Sequence, residues 1–229
     1  MAQDRASHPG GDPGGDQPAL LKDLHWLGHD SFRIDRPSVI YLDPWKLPPA
    51  SPPADLILIS HDHSDHCSPE DVESIRREST IVVANPSAAA KLRSPVRVLQ
   101  AGKSLDVAGV KVEAVPAYNV NKKFHPRDAG HIGFVVHLGD ERLYFAGDTD
   151  LIPEMEGLAC DVALLPVSGT YTMTAEEAVR AAGVIRPRVA VPMHYGAGVA
   201  GTAEDAETFR RKSPVPVVVL PMEGARSTS

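Results

Sequence analysis

The sequence predicts an α/β fold, and three observations carry that prediction. Apolar runs that read as buried strands recur at 56–60, 81–84, 142–146, 162–167 and 188–191. Two helix-start signals stand among them. Ser68-Pro69-Glu70-Asp71 combines an N-cap serine, a proline at the first helical position and acids in the first turn, and Thr174-Ala175-Glu176-Glu177 is a capping box. From 56 to 99 strand and helix alternate, the rhythm of a layered α/β domain.

Residues 1–19 contain almost nothing apolar to offset the entropy of ordering them, so a disordered leader is expected ahead of one domain at 20–229. The runs 24–27, 31–35 and 39–42, broken by Gly28-His29-Asp30 and by Pro37, predict an antiparallel meander. A proline-rich loop at 46–53 leads into the strand 56–60. The helix opened by Ser68 should run to about Glu78, followed by a strand at 81–84, a short helix at 87–92 and a strand at 96–99. Alternation at 110–115 predicts a sheet strand. The polar, basic stretch 118–130 is longer than a simple hairpin needs, a length often found in functional loops. Strands at 131–138 and 142–146, joined by Gly139-Asp140-Glu141, form a hairpin that delivers Asp148. A strand at 162–167, a helix from Thr174 to about Ile185, a strand at 189–191, a helix at 203–211 and a strand at 215–220 complete the domain.

With 229 residues, 42% of them hydrophobic, the chain can bury a sizeable core. A formal charge of −7 argues against a broad nucleic-acid footprint, and a small-molecule substrate is expected instead. Two cysteines, Cys67 and Cys160, suggest no disulfide framework and fit a reducing, cytoplasmic setting. No stretch has the length of a membrane span, and the leader lacks the apolar segment of a signal peptide. Assembly into a homo-oligomer is left open.

The chemistry concentrates in His61-Asp62-His63-Ser64-Asp65-His66, directly after the strand 56–60. Three imidazoles and two carboxylates at the end of a buried strand are hard to explain by packing, because such groups stay exposed unless they are paired or bind metal. Side chains with one residue between them on extended backbone point the same way, so His61 and His63 can share one ion while Asp65 and His66 face a second. Imidazole and carboxylate suit zinc first, with manganese or iron as alternatives.

This hexapeptide resembles the signature of the metallo-β-lactamase superfamily. Gly147-Asp148-Thr149 and Pro192-Met193-His194-Tyr195 match its other landmarks. Trp26-Leu27-Gly28-His29, Leu42-Asp43-Pro44 and Gly169-Thr170-Tyr171-Thr172-Met173 are similar to the small single-domain hydrolases that include the L-ascorbate-6-phosphate lactonase-like proteins. The resemblance implies an αββα sandwich, two mixed sheets face to face with helices outside. It also implies two divalent ions: His61, His63 and a third group on the first, Asp65, His66 and His194 on the second, with Asp148 bridging. A histidine expected shortly after the strand 110–115 is replaced by Pro116-Ala117-Tyr118-Asn119. His125 is taken as the third ligand, ahead of His131, and His137 is assigned a structural role. Asp43 is read either as the acceptor for the second N–H of a ligand histidine or as a plain turn aspartate.

The implied function is a metal-dependent hydrolase in which a metal-bridging hydroxide attacks an ester, lactone or phosphoester. Asp65, His29 and Tyr195 are the candidate proton carriers. Lys122, Lys123 and Arg127 flank His125 and would favour an anionic substrate, and Tyr171 lies in a turn whose N–H groups could hold an oxyanion. Cys67 is expected to be a packed residue. Competing readings are a mononuclear-iron or di-iron oxidoreductase on the same fold, a nuclease, which would need a basic groove, and an inactive binding module.

Overall fold

The computed structural model describes residues 17–223, so most of the expected leader lies outside the described residues. Ala19–Asp23 forms one turn of 3-10 helix that buries Leu20, and the N–H groups of Ala19 and Leu20 donate to the Glu141 carboxylate.

Two six-stranded mixed sheets follow in chain order. The first contains β1 (Leu24–Gly28), β2 (Ser31–Ile34), β3 (Ile40–Leu42), β4 (Leu56–Ile59), β5 (Ile81–Ala84) and β6 (Arg97–Val98). Its first three strands are the expected antiparallel meander, and β3 to β6 pair in parallel. The second contains β7 (Ser104–Val107), β8 (Val110–Pro116), β9 (Ile132–Leu138), β10 (Glu141–Phe145), β11 (Val162–Pro166) and β12 (Val189–Met193). Here β7 to β10 are antiparallel, and β10, β11 and β12 are parallel.

Side-chain alternation along β4 shows how the layers stack. Leu56 and Leu58 belong to the core shared with the second sheet, whereas Ile57 and Ile59 pack with Val72, Ile75 and Ala88 of helices α1 (Pro69–Ile75) and α2 (Pro86–Ala89). Both faces of the strand are therefore buried, which is why its sequence is uniformly apolar. Helices α3 (Ala175–Ile185) and α4 (Ala203–Lys212) cover the other sheet beside β11 and β12. The αββα arrangement is the one implied by the resemblance.

Several element boundaries differ from the expectation. Helix α1 stops at Ile75 rather than Glu78, because Arg76 turns extended and sends its guanidinium to the carbonyls of Arg93 and Pro95. Helix α2 begins at Pro86, one residue earlier than expected, behind the N-cap Asn85, whose side chain accepts from Ala88 N, and it ends at Ala89 rather than at 92. The strand expected at 215–220 makes only isolated bridges, Val217 to Ala190 and, beyond it, Met222 to Trp26. Strand β7 was not anticipated at all.

The parallel strands all run toward one edge of the sandwich. Asp43 follows β3, the hexapeptide follows β4, Asp148 follows β10 and His194 follows β12. Loops at the carboxyl ends of parallel strands are where such sheets build their sites.

Candidate metal centre

After β4 the backbone turns, with the N–H groups of His66 and Cys67 both donating to His63 O. The turn buries His61 and His66 and leaves His63 exposed with Asp65 half-buried. Asp43 accepts from Ser60 N, from Ser60 Oγ and, at 2.8 Å, from His66 Nδ1. Ser60 Oγ in turn lies 2.9 Å from His61 Nδ1. One buried carboxylate therefore orients both rings and directs each Nε2 away from itself, the arrangement that leaves a histidine ready to bind a cation. Of Asp43's two readings, the structure gives the acceptor. Neither His61 Nε2 nor His66 Nε2 has a hydrogen-bond partner.

His125 reaches the same place from the long loop. Asn119 ties that loop down: its Oδ1 accepts from His125 N, and its Nδ2 donates to Asp150 Oδ1 and to Tyr171 O. His125 Nδ1 lies 3.3 Å from Tyr171 O, so its Nε2 faces His63 Nδ1 at 3.2 Å and Asp148 Oδ2 at 3.1 Å. His61, His63, His125 and Asp148 each offer a ligand atom within 4.8 Å of the others. His131 packs beside His61, with ring centroids 4.7 Å apart, and is not part of that group.

Asp148 stands between this group and a second. Gly147 before it has φ +63°, and a Cβ there would meet Ile132 O at 3.1 Å and Ser60 Cβ at 3.4 Å, so a glycine lets the loop press against the opposite sheet. Asp148 Oδ1 is 3.4 Å from His66 Nε2, and its Oδ2 is 3.3 Å from His194 Nε2. His194 has φ +60° and donates its N–H to His29 O, linking the end of β12 to the two-residue turn between β1 and β2. That turn presents His29, whose Nε2 is 3.1 Å from Asp65 Oδ2, and the fully buried Asp30. Asp30, His66, Asp148 and His194 form a second group of ligand atoms within 4.8 Å. Asp65, expected in that group, sits at its edge, 4.0 Å from His66 Nε2.

The electrostatics fit a cation. Burial alone would raise the Asp148 carboxyl, but the charges of His194 and His66 and hydrogen bonds from His125 and His194 hold it well below the usual carboxylate range. Burial disfavours charge on His66 too, yet Asp148 and Asp43 keep its pKa well above the ordinary imidazole value. His194 is lifted to about 9 against burial by Asp148 and Asp30. Burial and the charge of His66 push His61 well down. Burial pushes the Asp30 and Asp43 carboxyls up, so three acids and the raised His66 and His194 crowd one buried spot, and the unpartnered Nε2 atoms of His61 and His66 aim into the same space. A mixed nitrogen and oxygen donor set in two groups sharing Asp148 suits zinc, manganese or iron, so the residues fit a pair of metal ions.

A cavity of about 210 Å³ opens onto these groups, lined by His63, Asp65, Phe124, His125, Asp148, Tyr171, His194 and Val199. A larger one, about 480 Å³, lies against Leu27, Trp45, Leu47, Pro48 and Met222 and shares no lining residue with the ligand groups. The smaller cavity is the relevant one, since it alone reaches the chemistry.

Four side chains lie apart from the place expected of them. Tyr195 does not face the cavity: it stacks on Trp26 with centroids 4.7 Å apart, and burial pushes its phenol up to about 12. Lys122 is drawn to the buried Asp150 at 2.6 Å. Arg127 pairs with Glu154 at 2.8 Å and lies over the Tyr118 ring, and neither it nor the exposed Lys123 lines the cavity. Tyr171 does line it. Asp30 and Asn119 were not foreseen; for Asp30 the available signal was an acid next to His29 in a tight turn between buried strands.

Fold and site together are those of the metallo-β-lactamase class, and comparison with known proteins agrees. Residues 23–194 match the beta-lactamase superfamily domain. A UPF0173 metal-dependent hydrolase of Thermofilum pendens is 37% identical over 194 residues, which cover 75% of this chain and 82% of the relative. Among solved structures, a Parabacteroides distasonis protein assigned as a metal-dependent hydrolase has a TM-score of 0.77 at 32% identity, covering 86% of this chain and 91% of that one. A metallo hydrolase of Ignicoccus hospitalis has a TM-score of 0.70 at 27% identity, covering 86% and 94%. The chain belongs to the beta-lactamase superfamily and, within it, to the UPF0173 metal-dependent hydrolases.

Proposed function

We propose that the protein hydrolyses an ester, lactone or phosphoester bond of a small molecule with the help of two divalent ions, zinc ahead of manganese or iron. The observation that carries this reading is the shared carboxylate: Asp148 belongs both to the group of His61, His63 and His125 and to the group of His66 and His194. When bound, such a pair of ions lowers the pKa of water and polarises the oxygen of the bond to be broken. The chain's own residues do the rest. Asp65 lines the cavity and accepts from His29 Nε2; burial would raise its carboxyl, but that hydrogen bond and the charge of His66 outweigh it and keep it ionised. An ionised Asp65 can take a proton from water and pass it to the leaving group. Burial lowers His29 to about 4 in spite of Asp65, so its ring stays neutral and acts as a donor to that carboxylate.

The rim also bears on the substrate. With Lys122 and Arg127 turned to Asp150 and Glu154, the mouth is framed by Phe124, Tyr171 and Val199. Phe124 and Tyr171 meet edge to face, with centroids 4.7 Å apart. An apolar substituent next to the scissile bond matches that rim, while negative charge would be met by the ions.

The test is a panel of lactones, phosphodiesters and thioesters offered to metal-loaded protein, with Asp148→Ala as control. The variant should lose turnover and bound metal and keep its far-UV circular dichroism. Unchanged turnover would remove the bridging role. One iron per chain with oxygen uptake and no hydrolysis would replace this reading with the oxidoreductase one.

A further inference from the structure

The second ligand group contains a residue that neither the hexapeptide nor the other sequence landmarks point to. Asp30 is fully buried, and neither of its carboxylate oxygens has a hydrogen-bond partner. Its Oδ2 lies 3.9 Å from His66 Nδ1, and one of its oxygens shares the 4.8 Å neighbourhood of His66, Asp148 and His194. The placement is built into the backbone. Gly28 and His29 both have positive φ, +108° and +53°, and His29 O receives Trp26 Nε1 at 2.9 Å and His194 N at 3.2 Å. A turn pinned in this way leaves Asp30 no route to solvent. A buried carboxyl with two bare oxygens forgoes the hydrogen bonds it would have in water, and a cation held against those oxygens would replace them.

We propose that Asp30 is a carboxylate of the second metal position, on its buried side, acting with His66, Asp148 and His194. Asp65, whose side chain is 22% exposed, stands on the cavity side, where it already takes a hydrogen bond from His29. The division gives the two acids different work: Asp30 balances the ion, and Asp65 handles protons. The proposal rests on the metal-dependent reading above, but it concerns binding and not turnover.

The test compares wild type, Asp30→Asn and Asp30→Ala in metal-free form, each titrated with zinc alone against a competing chelator and each melted with and without zinc. Asn keeps the shape but cannot carry the negative charge. Wild type is expected to bind two zinc ions, and both variants to bind the second at least about tenfold more weakly. Zinc should raise the melting temperature of wild type by more than that of either variant, because a second ion stabilises only the protein that binds it. Full second-site affinity in Asp30→Asn would overturn the proposal. So would an equal zinc-induced rise in melting temperature in wild type and both variants, or a wild type that binds only one ion. A wild type that binds two ions and hydrolyses nothing would defeat the hydrolase reading and leave Asp30's role intact.

Discussion

Asp43 reaches two candidate ligand histidines by different routes, directly to His66 and through the Ser60 hydroxyl to His61. Asp43→Asn is therefore expected to weaken zinc binding about 10–100-fold, read by chelator competition, and Ser60→Ala to weaken only the ion on the His61 side. Proton linkage gives a second outcome at this scale. In the metal-free protein burial lowers His29 and His131 to about 4, against 6.5 for a free imidazole. The unfolded chain takes up those protons first as pH falls, so the stability they carry is present above 6.5 and drains toward 4. His194, lifted to about 9, has the opposite sign: its contribution is full below 6.5 and is lost as pH rises through 9. Urea midpoints of chelated protein should peak between these limits, and a curve that only rises or only falls would refute the assignment. Residues contiguous in sequence are the legible ones: His61, His63 and His66 of the hexapeptide all fall within the candidate ligand groups. Tyr195, Lys122 and Arg127 were misread because the direction of a long side chain depends on partners far along the chain: Trp26, Asp150 and Glu154.

Strands and caps carried most of their own signal. The capping box at Thr174 forms as the sequence predicts, with Glu177 donating its N–H to Thr174 Oγ1 and returning its carboxylate to Thr174 N. Thr174→Ala should cost about 1 kcal/mol in thermal or urea unfolding. Strand β7 escaped notice because three of its four residues are not buried and it reads as surface. The early stop of α1 was equally hidden, since it depends on carbonyls of Arg93 and Pro95 that no local pattern reveals. Where β9 passes β10, a Cβ at Gly133 would lie 2.5 Å from Phe145 O and 2.6 Å from Ala146 O, backbone atoms that cannot yield. Gly133→Ala should destabilise by about 1–3 kcal/mol and, because this hairpin carries Asp148, lower zinc affinity as well. Destabilisation with unchanged affinity would separate the hairpin's packing from its role in aiming Asp148.

Which strands lie side by side is a long-range matter, and the chain's patterning announced only alternation; the two-sheet sandwich came from resemblance to known proteins. In the molecule the first sheet is built from residues 24–98 and the second from 104–193, and each supplies part of both ligand groups. Backbone bonds from His194 N to His29 O and from Ile132 N to Ser60 O join the sheets beside those ligands. Binding at such a junction should stabilise the whole sandwich. At a hundredfold excess over its dissociation constant each ion is worth about 2.7 kcal/mol, so chelation should lower the melting temperature in one cooperative step. A melt that splits into two steps would show instead that the sheets unfold independently. The same division bears on how the protein comes into being. A ribosome releases the hexapeptide long before Asp148 and His194, so the nascent amino-terminal half holds an unfinished chelate. Cation capture is thereby deferred until almost the whole polypeptide has emerged, and a product truncated before residue 194 leaves synthesis without a completed centre.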